Sequence, residues 1–261
     1  MHNQPTINMF RNFILAGGRG KNPAQLSMTL EPMKLEDQMG IAVKSIAYGT
    51  MENVYGSNNT IYVGFDLRLM ANDFTKGFYS GPIFGGKHKV EIPNGHYVTR
   101  EQVVEAIESS LTKYFKERNF PLSPVTIEKS GDSLRLKPSL YMHFEQSPLL
   151  DFIKAEKKAN GTWKVTNGYI PNPEIMGFLY LNIVQNSFIN GRKSRVLCVC
   201  PFNYKEGYSF FEYNTPTYVP IEVRQFSDIS LSILDLNGNF IPFSSEYDTL
   251  ITLEMRPLHY K

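Results

Sequence analysis

Toward the end of the chain, apolar and polar residues exchange places at every step. Ile229, Leu231 and Ile233 alternate with Asp228, Ser230 and Ser232. A period of two puts the apolar set on one face of a β-strand, and no helix face can collect it. The segment Asp235-Leu236-Asn237-Gly238-Asn239 follows, and Asn-Gly readily takes up the positive φ angles of a tight turn. The chain returns through Phe240, Ile241 and Phe243, passes a polar loop from Ser244 to Asp248, and then sets Ile251, Leu253 and Met255 on one face. The expectation is a β-hairpin over Phe226 to Pro257, so that the chain ends inside a sheet and completes its neighbours' hydrogen bonds.

The same pattern recurs upstream. Leu26 to Met33, Gly40 to Tyr48 and Thr60 to Leu69 read as strands, and so do Phe178 to Val184 and Arg195 to Cys200. Val125 to Lys129 and Ser133 to Lys137 are joined by Ser130-Gly131-Asp132, and Asn190-Gly191 is a second hairpin signal. Pro216 to Val223 leads into the terminal strands. The 18 Phe and 15 Tyr, against one Trp, suit strands and extended packing surfaces. One helix stands apart: Thr99 caps it, Gln102 completes a capping box, and Val103, Val104, Ile107, Leu111, Tyr114 and Phe115 form its apolar stripe. Asn119 and Pro121 end it. Ser147 to Ile153 is long enough for one or two helical turns. Strands and helices do not alternate, which argues against a parallel α/β fold. The fold class is mainly all-β, an antiparallel β-sandwich of which the jelly roll is one form, with one inserted amphipathic helix and short helical turns.

The 261 residues allow one large domain or one and a half small ones. Residues 1–25 read as a flexible basic arm, because they hold Gly17, Gly18 and Gly20 and the cations Arg11, Arg19 and Lys21 without an acid. The glycines do not make a phosphate loop, since Leu15 and Asn22 stand where such a loop needs Gly and Ser or Thr. The domain then spans residues 26–261, with a helix-containing insertion at about residues 95–170. The Gly-rich aromatic stretch 70–86 is a long loop of the functional or interfacial kind. A net charge of +2 argues against a dominant nucleic-acid face. No apolar run approaches the ~20 residues of a membrane span, and Met1 to Leu15 lacks the layout of a secretory signal.

No residue pattern announces chemistry. The histidines His2, His88, His96, His143 and His259 have no ligand spacing to one another or to Cys. Cys198 and Cys200 sit on one side of one strand, too close along it for a disulfide, and read as reduced buried thiols. His143, beside Met142 and Phe144, reads as a packed or surface side chain, and Asp66 as a surface or interface residue. Lys154, Lys157, Lys158 and Lys164 cluster with Glu156 in what reads as a solvated loop. The expectation is no enzyme, with no catalytic, cofactor-binding or metal residues and no cofactor.

Three blocks of the chain resemble the penton, or minor capsid, proteins of Polinton (Maverick) elements and virophages, and more distantly the adenovirus penton base. The first runs from Met28-Thr29-Leu30-Glu31-Pro32-Met33-Lys34-Leu35 through Gly40-Ile41-Ala42-Val43-Lys44-Ser45-Ile46-Ala47-Tyr48 to Asn53-Val54. The second is Gly95-His96-Tyr97-Val98-Thr99 with its helix, then Val125-Thr126-Ile127 and Ser133-Leu134-Arg135-Leu136. The third joins Tyr218-Val219-Pro220-Ile221, Phe226-Ser227-Asp228-Ile229 and Ile233 to Phe243. The chain departs from that pattern at Ile41, at Tyr48-Gly49 where Tyr-Pro is common, and at Ser244-Ser245-Glu246 where glycines are common.

The resemblance implies a single jelly roll that forms homopentamers at the fivefold vertices of a virion. It also implies contact with a double-jelly-roll major capsid protein, and an arm that reaches a neighbour or nucleic acid. Two other readings stay open on the residues: a lectin-like carbohydrate-binding sandwich using Tyr79, Phe84 and Asp73, and a jelly-roll hydrolase with paired buried carboxylates.

Overall fold

The computed structural model describes residues 11–17, 22–35, 37–66, 86–119, 124–139, 141–171, 174–189, 192–205 and 207–258. The chain divides into two compact units, Met1–Met51 with Asn172–Lys261, and Glu52–Pro171. The first unit opens with β1 (Arg11–Gly17), β2 (Gln25–Lys34) and β3 (Met39–Tyr48). The second holds β4 (Thr60–Phe65), β5 (Lys87–Glu91), α1 (Arg100–Lys116), β6 (Val125–Ser130), β7 (Ser133–Pro138), β8 (Met142–Glu145), α2 (Pro148–Phe152), β9 (Glu156–Lys157) and β10 (Trp163–Thr166). The first unit resumes with β11 (Ile175–Leu181), β12 (Ser187–Ile189), β13 (Arg192–Ser194), β14 (Val196–Phe202), β15 (Ser209–Glu212), β16 (Val219–Pro220), β17 (Gln225–Leu234) and β18 (Thr249–Pro257).

In the first unit one sheet runs β1-β18-β3-β15, with β16 also on β3, and the other runs β14-β11-β17-β2; every pairing is antiparallel. If β1, β2, β3, β11, β14, β15 with β16, β17 and β18 are lettered B to I, the sheets read B-I-D-G and F-E-H-C. That order defines a jelly roll. Leu15, Ile41, Ile46, Ile251 and Leu253 from one sheet and Leu26, Leu179, Phe202, Ile229 and Ile233 from the other bury into a single core. The expected antiparallel sandwich is the fold.

Three expectations are corrected. The hairpin over Phe226 to Pro257 does not form, because β17 pairs with β2 and β11 in one sheet while β18 pairs with β1 and β3 in the other. The Asn-Gly turn is present: Gly238 has φ +84°, and the Asp235 carboxylate accepts the backbone N–H groups of Asn237 and Asn239 at 2.8 Å. Beyond the bridge from Leu234 to Phe240, however, the chain crosses between sheets. Two strands facing one core from opposite sides carry the same alternation, so periodicity alone cannot separate a crossover from a hairpin.

The arm at residues 1–25 is corrected over Arg11–Gly17, which pairs along its whole length with β18 and buries Phe13 and Leu15. Residues 1–10 and 18–21 lie outside the described residues. The insertion begins at Glu52 rather than near residue 95, because β4 and β5 belong to the second unit. Leu67, Leu69 and nearly all of the 70–86 loop lie outside the described residues, as do Asn190 and Gly191, although β12 and β13 on either side of that pair do form a hairpin.

At Gly49 the fold leaves no room for a side chain. A Cβ there would lie 2.1 Å from the Cβ of Tyr247. The adjacent Tyr48 ring is fully buried, edge-on to Phe202 at 5.0 Å and stacked on Phe211 at 6.0 Å, and its hydroxyl accepts from the Asn203 N–H.

In the second unit, β6-β7-β10-β9 form one sheet and β5-β4-β8 another. The Thr99 hydroxyl accepts from Gln102 N–H at 3.3 Å and the Gln102 carbonyl accepts from Thr99 N–H at 3.1 Å, so the capping box starts α1 as expected. Its stripe of Val103, Val104, Ile107, Leu111 and Phe115 buries with Ile61, Val63, Leu136, Phe144 and Trp163. Asn119 ends the helix region in the left-handed conformation, φ +57°. Asn53, almost buried, donates to Tyr97 O at 2.8 Å and accepts from Tyr97 N–H at 2.9 Å, which ties two loops together as a strand pair would.

Candidate interaction surfaces

Outward-facing positions of the sandwich break the polar alternation that a solvated sheet face requires. Across the B-I-D-G sheet, Ala16, Leu250, Ala47 and Phe210 stand in one cross-strand row, and Ile14 begins the next row opposite Thr252. Phe210 is 65% exposed, Ile14 60% and Leu250 40%. The polar end of this face is built by a bulge. Thr252 pairs with Ser45 and Leu253 with Val43, so Lys44 is the extra residue and turns outward. Its ammonium lies 3.5 Å from the Glu254 carboxylate, which also accepts the Tyr218 hydroxyl, while the Arg256 guanidinium stacks 3.6 Å from the Tyr218 ring centre. Burial, then the hydrogen bond to Glu254, pushes the Tyr218 phenol above its ordinary range.

The opposite sheet carries a second apolar row. Val199, Phe178 and Leu234 are in register across β14, β11 and β17, and Phe240 bridges to Leu234. Val199 and Phe240 are exposed, as is Met176 on β11. Each outer face of one sandwich thus presents apolar surface, and patches of this kind mark interaction sites.

The residues singled out for chemistry do not converge. His88 on β5 is half-buried against Phe65, Phe115 and Tyr114, with Nδ1 3.2 Å from the Tyr114 hydroxyl. His143 is exposed and lies over the Cα of Gly64, and His96 is half-buried in a loop. His2 and His259 lie outside the described residues. Cys198 and Cys200 are unbridged, and the Cys200 thiol approaches Gly177 O at 3.9 Å. The hydrogen bond with Cys200, then burial, pushes the Cys198 thiol far above its ordinary range. Asp66 is exposed just beyond β4. Among the described residues no cluster of three or more His, Cys, Asp or Glu is placed to hold a metal, no carboxylate is buried, and no helix is long and apolar enough to cross a membrane. Tyr79, Phe84 and Asp73 lie outside the described residues.

The outer rows had a sequence signal that alternation obscures. Phe13-Ile14-Leu15-Ala16, Leu250-Ile251 and Val196 to Cys200 are continuous apolar runs, the pattern of strands covered on both faces.

Fold and surfaces together define a jelly-roll β-sandwich protein with a second compact unit inserted between its D and E strands. No protein-family profile matches the sequence, and no curated protein matches it. Among solved structures, the chain is similar to the crystal structure of the selenomethionine-labelled mavirus penton protein, with 96% of this chain and 100% of that one covered, 11% identity and a TM-score of 0.43. A likeness at that level says nothing of what this chain binds or builds.

Proposed function

We propose that the chain is a structural capsid protein, a penton subunit that closes into a homopentamer at the fivefold vertices of an icosahedral virion and abuts a double-jelly-roll major capsid protein. The observation that carries this reading is the pair of apolar rows on opposite outer faces of one sandwich. A row through Phe210 on one subunit and a row through Val199 on the next are different patches, so contact between them is head-to-tail, the kind of interface that closes rings. The jelly-roll order supports the reading, since that architecture serves capsid proteins, although a fold alone does not assign a function. Of the three blocks that resemble penton proteins, the first and third fall mainly on the sandwich strands β2, β3, β16 and β17 and on the crossover after β17, and the second on α1, β6 and β7 of the inserted unit.

Electron-microscopic averages of the purified protein test the proposal. Rings with fivefold symmetry are expected. Rings of another symmetry, or closed twofold dimers, would overturn it.

A further inference from the structure

We infer that the inserted unit carries a binding site for an acidic, sulfated polysaccharide, in a basic concavity on the outer face of the β6-β7-β10-β9 sheet. Alternation builds it. Leu134, Leu136, Trp163 and Val165 point into the core, so Arg135 and Lys137 of β7 and Lys164 of β10 must point out. The hairpin between β9 and β10 closes one side. Lys158 N–H donates to Thr162 O at 2.8 Å, Gly161 N–H donates to Lys158 O at 3.0 Å, and Gly161 sits at φ +78°, where a side chain is strained. Lys158 and Asn160 on that hairpin join Arg135, Lys137, Lys164 and Glu128 around a cavity of about 530 Å³.

The charges in it are not balanced. Glu128 is 3.6 Å from Lys137, and Glu156, across the ladder from Lys164, is 2.8 Å from Lys158. Glu128 also stands opposite Arg135 in the β6–β7 ladder and Glu156 attracts Lys164, but the four cations Arg135, Lys137, Lys158 and Lys164 face only these two acids. Arg135 and Lys164 stand opposite each other in the β7–β10 ladder and make no ion pair among the described residues. Two like charges held in register oppose folding and invite an anion between them. The Asn160 carbonyl already accepts from Thr162 N–H and its hydroxyl, which leaves the Asn160 amide nitrogen as the donor it can offer a ligand.

The ligand class follows from the lining. Cations lie ~5 Å apart across strands and ~7 Å apart along β7, so a chain bearing repeated anionic groups engages several at once. The lining offers charge and amide donors but no aromatic ring, and single-stranded nucleic acid and neutral sugars rely on ring stacking. A sulfated sugar chain, with fixed negative charge and hydroxyls for hydrogen bonding, matches it.

The test is calorimetry of the full chain with a heparin hexasaccharide, with the same sugar desulfated, and with short duplex DNA, at about 0.15 M salt. The expected result is binding of the sulfated sugar that falls by about tenfold or more in Arg135→Ala and in Lys164→Ala, and is unchanged in Lys113→Ala on α1. All are surface substitutions, and an unaltered unfolding midpoint confirms that each variant folds. Absence of binding, binding by either Ala variant as tight as the parent's, or equal affinity for duplex DNA would overturn the inference. The inference does not depend on the capsid reading, which the calorimetry leaves untouched.

Discussion

Arg135 and Lys164 face each other across the β7–β10 ladder, two cations where opposite charges or apolar side chains would stabilise the pair. Replacing Lys164 by Gln relieves that repulsion but also gives up the attraction to Glu156 on its other side. The two effects oppose each other, so the variant is expected to stay within about 0.5 kcal/mol of the parent in urea unfolding while losing affinity for the sulfated hexasaccharide. Undiminished affinity would show that Lys164 does not meet the sugar.

Asn53→Ala removes both hydrogen bonds to the Tyr97 backbone and leaves its part-buried N–H and C=O without that partner. The expected cost is about 1–3 kcal/mol in the unfolding transition. An unchanged midpoint would mean that the loops are held by other contacts.

The terminal strand β18 lies between β1 and β3. Deleting Leu250 to Lys261 should abolish folding, because it orphans the ladders of both neighbours and removes Ile251 and Leu253 from the core. Leu15→Ala on β1 should cost about 2–5 kcal/mol, as for any fully buried leucine. Soluble folded protein from the truncation, or a Leu15 variant as stable as the parent, would contradict the pairing.

What was legible in the sequence was local. The capping box at Thr99 and Gln102, the β6–β7 hairpin at Gly131 and most strand positions follow from residue chemistry within a few positions. What failed was relational. The strand β1 was masked by Gly17, Gly18 and Gly20, whose density reads as an arm. The start of the inserted unit was hidden because β4 alternates just as the sandwich strands do. The terminal crossover looked like a hairpin because both its strands face the same core. The basic cluster was half visible: Lys158 and Lys164 stood out as a loop charge, but only strand pairing brings Arg135 and Lys137 beside them. The outer apolar rows exist only once four strands of one sheet and three of the other are in register.

The Cys198 thiol offers a pH test. With its folded value pushed up by the Cys200 hydrogen bond and by burial, it stays protonated where an ordinary thiol ionises. Because alkylation requires the thiolate, iodoacetamide at about pH 8.5 should label native protein far more slowly than unfolded protein. The sign for stability follows from a raised folded value: the contribution is complete below the ordinary thiol range and is lost as pH rises beyond it. Equal labelling rates would contradict the buried pair.

A head-to-tail interface makes an unusual complementation prediction. Phe210→Asp damages one outer face and Val199→Asp the other, both at exposed positions that leave the core intact. Each variant alone should fail to form rings. Mixed together, they retain one undamaged interface per pair and should form a one-to-one dimer that cannot close. Rings from either single variant would place the subunit contact elsewhere on the sandwich.

The central claim is a closed ring of five, and its most direct measurement is the mass of the protein in solution by light scattering across a range of concentrations. The expected species has five times the 29.8 kDa of the chain, and the Phe210→Asp variant should show the mass of the chain alone. A strict monomer for the unaltered protein at every concentration, or a stable dimer, would contradict the claim.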